Sequence, residues 1–242
     1  MGMKKIFIFI TVLLSTVFYT QKCMDIQQSI NSNGHFNISF TEKLFDNFSE
    51  TIPEVINIEE NSQDNLKLFQ NKFPDIYDGK CLKINIKGES TDFFFCDKDQ
   101  RDQISKDRHS TLGKFKLVSI IDNFYFFKYS GFEISGYLMY NAKDRLFYFF
   151  GSKPIISQDK KIIYSYNNDD YAFELNILNL DNYSELTYHL SGDFDIKDLK
   201  LTQLKNTDRY SIIMNLIQKF INRDQENNIT GTQYCDRKIK IN

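Results

Sequence analysis

Residues 114–191 leave the backbone little choice. "KFKLVSII" (114–121), "FYFFKYS" (124–130), "FEISGYLMY" (132–140), "RLFYFF" (145–150), "KIIYSY" (161–166), "AFELNILNL" (172–180) and "SELTYHLS" (184–191) follow one another across polar turns such as "DN", "NAKD", "SQDK", "NNDD" and "LDN". β-Branched and aromatic side chains crowd these runs and pack well on a pleated surface. Closely spaced strands separated by turn residues predict a meander of antiparallel sheet, as in sandwiches, barrels or propeller blades. The whole chain holds only 10 Gly and 3 Pro. Asn, Asp, Ser and Lys must therefore close turns that Gly and Pro usually close.

A length of 242 residues suits one large or two small domains. With 41% hydrophobic residues, including 23 Phe and 14 Tyr, a core is affordable and wholesale disorder is excluded. The formal net charge is −2, and no Lys/Arg block is long enough to follow a phosphate backbone, so no nucleic-acid partner is expected. The expected fold class is mainly β: antiparallel meander sheets resembling blades, with one or two short helices, one of them near the C-terminus. "SQDNLKLFQNKF" (62–73) places Leu66, Phe69 and Phe73 on one helical face before Pro74. "NTDRYSIIMNLIQKFINR" (206–223) reads as the second helix, capped by Asn206 or Thr207 and carrying Ile212, Leu216, Lys219 and Phe220 on one side. The organisation expected is a leader over 1–20, an N-terminal segment over 21–110, the meander over 111–205, and a helix and tail over 206–242, packed as one unit.

The N-terminus carries Lys4 and Lys5 ahead of an apolar run over 6–19, the pattern of a secretory signal peptide. Spanning a bilayer as a helix needs about 20 apolar residues, so membrane contact is expected only transiently, through the leader. Lys22 precedes Cys23, where lipoprotein processing needs a small residue. The location expected is periplasmic or secreted.

Cys23, Cys81, Cys96 and Cys235 remain after the leader, and an even number in an exported chain predicts disulfides. "CLKINIKGESTDFFFC" (81–96) reads as a hairpin folded at Gly88–Glu89. That fold sets Ile84 opposite Phe93, Leu82 opposite Phe95 and Cys81 opposite Cys96, a hydrogen-bonded pair about 5.5 Å apart at Cα. Cys81–Cys96 is the preferred bridge, leaving Cys23 and Cys235 to tie the chain ends.

"GYLMYNAKDRLFYFFGSKPIISQDKKIIYSY" (136–166) resembles a TolB- or WD40-type propeller blade, with Ser157 and Asp159 retained from the usual Ser-Pro-Asp-Gly turn. Gln158 stands where Pro is usual, and Lys160 where Gly is usual. With "CLKI" (81–84), the larger pattern resembles uncharacterised exported proteins of Bacteroidetes-type bacteria. The resemblance covers about half the chain and implies a location and a β-rich fold, with no activity attached. At four strands per blade the central region supplies roughly two blades, so a twisted open stack of sheets stands beside a closed propeller as an expectation.

No catalytic residue, metal site or cofactor is expected. His35, His109 and His189 have no metal-ligand spacing, and nucleophile-elbow, P-loop, dinucleotide and zincin motifs are missing. The carboxylates of "NNDD" (167–170) and "GDFD" (192–195) lack the ligand series of a Ca²⁺ loop. Aromatic runs such as "FYFF" face both sides of a sheet and read first as packing. Two functions follow: an exported, non-enzymatic module binding an envelope protein, or alternatively a small secreted hydrolase or carbohydrate-binding module.

Overall fold

The computed structural model describes residues 27–32, 34, 36–41, 50–60, 65–87, 93–99, 110–131, 134–169, 172–192, 194–204 and 209–242. The expected leader, Cys23, His35, His109 and the Gly88–Glu89 loop lie outside the described residues. The early part of the chain gives β1 (Gln27–Ser32), β2 (Ile38–Thr41), β3 (Glu50–Thr51), β4 (Val55–Asn57), α1 (Leu66–Lys72), β5 (Cys81–Ile84) and β6 (Phe93–Asp97). The meander follows as β7 (Ser110–Ile121), β8 (Phe124–Gly131), β9 (Ser135–Asn141), β10 (Leu146–Phe150), β11 (Ile155–Ser157), β12 (Ile162–Asp169), β13 (Ala172–Asn179) and β14 (Ser184–Ser191). The chain closes with β15 (Phe194–Leu204), β16 (Tyr210–Arg223) and β17 (Ile229–Ile241).

These strands make three sheets. The first, in order β10-β9-β8-β7-β6-β5, curls into a half-barrel. Its two margins meet where the Phe147 N–H donates to the Asn85 carbonyl at 2.8 Å. The second, central sheet runs β1-β14-β13-β12-β11-β4, and the third, outer sheet β2-β17-β16-β15-β3. Among the described residues the strand pairings are antiparallel except β6 with β7.

Helix α1 fills the hollow of the half-barrel. Its seven residues are too few to hold a helix alone, so packing holds it. Phe69 meets Tyr125, Phe127 and Tyr140 edge-on at 5.2, 4.9 and 5.5 Å between ring centroids. Leu66 and Phe73 join the same core as the sequence expects. The opposite face of the half-barrel contributes Val118, Phe126, Met139 and Tyr148, which pack on Ile156, Ile163 and Leu178 of the central sheet and on Ile58. The other face of the central sheet, with Tyr164, Leu175 and Tyr188, meets Leu201, Met214 and Ile239 of the outer sheet. The order of layers is therefore helix, half-barrel, central sheet, outer sheet. Strands buried on both faces need apolar residues at consecutive positions, which is what β9 supplies, with everything from Gly136 to Asn141 buried.

Two expectations are corrected. The helix expected over 206–223 is the strand β16, paired with β15 on one side and β17 on the other. Ile212, Met214 and Leu216 alternate into the core, while the β-branched Ile213 and Ile217 occupy the other face. Apolar residues on both faces mimic a helical stripe, and two long partner strands decide the matter. The blade-like stretch 136–166 does not form one blade, since a blade is a single four-stranded sheet. Here β9 and β10 belong to the half-barrel, whereas β11 and β12 belong to the central sheet.

Candidate binding surfaces

The hairpin pairs Cys81 with Cys96, Leu82 with Phe95 and Ile84 with Phe93, and Cys81 and Cys96 form a disulfide. Their Cα atoms are 4.0 Å apart rather than about 5.5 Å. The Asp97 N–H donates to the Lys80 carbonyl at 2.8 Å, which makes the cysteines a non-hydrogen-bonded pair with closer side chains. Cys235, on β17, is also disulfide-bonded.

Ser157 and Asp159 build the turn between β11 and β12. The Ser157 hydroxyl donates to Asp159 Oδ1 at 2.7 Å and accepts the N–H groups of Lys161 and Ile162 at 3.1 and 3.0 Å. The Tyr210 hydroxyl donates to Asp159 Oδ2, tying this turn to the outer sheet. Burial works against the Asp159 carboxylate, but these hydroxyls and the Lys161 N–H hold its pKa below the usual range. The pair is a structural clamp. His189 lies on β14 with Nδ1 3.5 Å from Glu174. Among the described residues no three His, Cys, Asp or Glu side chains converge on one point.

A groove of about 630 Å³ runs over β7, β8 and β9. Lys114, Lys116, Lys128 and Lys153 line it, with the Tyr137 ring beside them. The register explains the clustering. Lys116 is directly opposite Lys128, and Lys128 directly opposite Tyr137, so all three side chains share one face. Like charges facing each other across a ladder are destabilising, and Glu60 offsets this. Its carboxylate accepts the Tyr137 hydroxyl, lies 3.0 Å from Lys128 Nζ and 3.8 Å from Lys116 Nζ. The Lys128 ammonium also lies 5.7 Å from the centre of the Tyr137 ring. The Tyr137 and Lys128 hydrogen bonds hold the Glu60 carboxyl below its ordinary pKa, and the Glu60 bond raises Lys128. Burial, and then Glu60, push Tyr137 upward. Lys114 has Asp99 at 3.4 Å.

Two further hollows are present. One of about 370 Å³ at the margin of the half-barrel is lined by Tyr148, Phe149, Glu174, Asn176, Glu185 and Thr187. Another, of about 500 Å³, opens between the central and outer sheets over Ile162, Ile177, Leu201, Ile212 and Ile241, with Arg209 on its lining.

Sequence reasoning missed the lysine row. Folding 114–130 at Asp122–Asn123 without interruption sets Lys116 opposite Tyr129 and Lys128 opposite Leu117, which places the lysines on opposite faces. A register shift between Leu117 and Ser119 moves Lys116 opposite Lys128. The available hint was three lysines in two adjacent strands of a chain with net charge −2. Comparison with protein-family models, curated proteins and solved structures returns no match.

Proposed function

We propose that this chain is an exported, non-enzymatic module that binds an envelope protein through the lysine groove, to which an acidic segment of the partner docks. The leader pattern and the Cys81–Cys96 disulfide favour an oxidising location. The observation that carries the binding role is the groove itself, where four lysines gather beside the edge of the Tyr137 ring. A charged rim steers encounter, while aromatic groups supply contact area. The test immobilises the full chain, adds an envelope extract, and compares wild type with the Lys116→Glu/Lys128→Glu double variant. A partner bearing an acidic patch should be retained by wild type, released by raised salt and lost with the double variant. Equal retention by both forms refutes this site.

A specific feature favours the second reading, a carbohydrate-binding module or small hydrolase. Glu174 and Glu185 line one hollow beside the exposed ring of Phe149. The Asn176 amide donates to Glu174 at 2.6 Å, which fixes that carboxylate. Glycan-array binding that disappears in Glu174→Gln would favour this reading over protein docking.

A further inference from the structure

We infer that the Lys116–Lys128–Tyr137 row is a carboxylate-binding site, and that Glu60 occupies it as an internal stand-in which an acidic side chain of a protein partner displaces. This rests on the docking reading above and specifies how the groove recognises its ligand. Three adjacent strands supply the row, each through one residue in direct register, so its geometry is fixed by backbone pairing. Glu60 comes from elsewhere. It lies beyond β4, two residues after Ile58, which is fully buried between the half-barrel and the central sheet. The anchor at Ile58 delivers the carboxylate to the row, but no ladder holds Glu60 itself.

The contacts are those a carboxylate ligand needs: a hydroxyl donor, an ammonium in hydrogen-bond range and a second ammonium behind it. Hydrogen bonds to charged groups are the stronger kind. Lys116 and Lys128 remain about half exposed, with side chains 51% and 47% accessible, so an incoming carboxylate reaches both ammonium groups from solvent. Among the described residues one glutamate is shared by two directly opposed lysines, which leaves a positive charge over, and Lys153 and the Asp99-paired Lys114 line the groove nearby. Charge complementarity therefore favours an acidic occupant carrying more than one carboxylate. Glu60 tunes the site: it satisfies the donors while no partner is bound and must be exchanged for the partner's carboxylate on docking.

The test uses the full chain and a fluorescein-labelled deca-glutamate peptide at low ionic strength. Glu60→Gln removes the competing charge and is expected to bind the peptide about three- to tenfold more tightly than wild type, the range of a charge-assisted contact at a partly exposed site. Adding Lys128→Gln to Glu60→Gln should abolish that gain. In the wild-type chain at pH 7, saturating peptide should shift the Glu60 side-chain carboxyl ¹³C resonance as that carboxylate leaves its Tyr137 and Lys128 hydrogen bonds. That measurement decides the issue should the variant not fold. If wild type binds the peptide while Glu60→Gln gains nothing and the Glu60 carboxyl resonance stays put, the stand-in is refuted and the docking reading survives. If neither form binds, the docking reading falls and takes the stand-in with it. If polygalacturonate competes as well as the peptide, the carboxylates recognised are not a protein's, which overturns the proposal as stated.

Discussion

At the scale of single residues, scarcity of glycine leaves its mark on the turns. Asp122, Arg145, Lys160, Tyr183 and Asn227 all have positive φ, between 51° and 68°. An L-residue in the left-handed region costs roughly 1–2 kcal/mol that Gly does not incur. Lys160, at φ 61°, stands where the blade-like turn usually has Gly, and its ammonium pairs with Asp122 of the neighbouring turn. Lys160→Gly and Lys160→Ala both lose that pair, so their difference isolates the backbone. Urea unfolding should find the Gly variant more stable by about 1 kcal/mol, and equal stabilities would refute the strain. Glu60 makes a second prediction. Its folded-state pKa is depressed, so its stabilisation is complete above the unfolded value and is lost as pH falls through the folded one. The stability gap between wild type and Glu60→Gln should be constant near neutrality and close progressively below the ordinary value of 4.5. A gap that widens in acid would contradict the hydrogen-bonded assignment.

At the scale of elements, β16 is the instructive case. A helical reading groups Ile212, Leu216, Lys219 and Phe220, whereas the strand puts Met214 in the core between Ile212 and Leu216 and turns Ile213 outward. Met214→Lys forces an unpaired charge between two sheets and should prevent folding or cost several kcal/mol. Ile213→Lys, one position away, should cost far less, about 1 kcal/mol, because Ile213 is only partly buried and a lysine there can reach solvent. Thermal melts that rank the two the other way would restore the helix. The β5–β6 hairpin was legible because its apolar alternation and its cysteines specify the same register. Its bridge closes a separation of 15 residues, so Cys81→Ser/Cys96→Ser should lower stability by about 3 kcal/mol through chain entropy. A doubly substituted chain as stable as wild type in urea would show the crosslink to be redundant.

At the scale of the molecule, the central sheet is a layer packed on both sides, and this makes it costly to place polar atoms there. The Ser165 side chain on β12 is fully buried, and its hydroxyl has no hydrogen-bond partner among the described residues. Ser165→Ala should therefore stabilise the protein by about 1 kcal/mol, measured by denaturant unfolding, whereas a loss would reveal a partner for that hydroxyl. The layering also closes a long circuit, because β1 pairs with β14 and β2 with β17. Contacts between chain regions so far apart follow from no local pattern.

The strands of the meander, the short helix before Pro74, the cysteine-locked hairpin and the turn built on Ser157 and Asp159 are legible from the chain alone, because each is specified by periodicity or turn chemistry within a few residues. Long-range pairing makes β16 a strand, since Ile212–Ile217 satisfies both periods and the choice belongs to β15 and β17. It alone decided how β9 through β12 divide between two sheets, because local turn residues do not say which sheet a strand joins. The candidate site was decided the same way. A single register shift after Leu117 puts Lys116 beside Lys128, and a residue more than fifty positions upstream supplies the carboxylate between them.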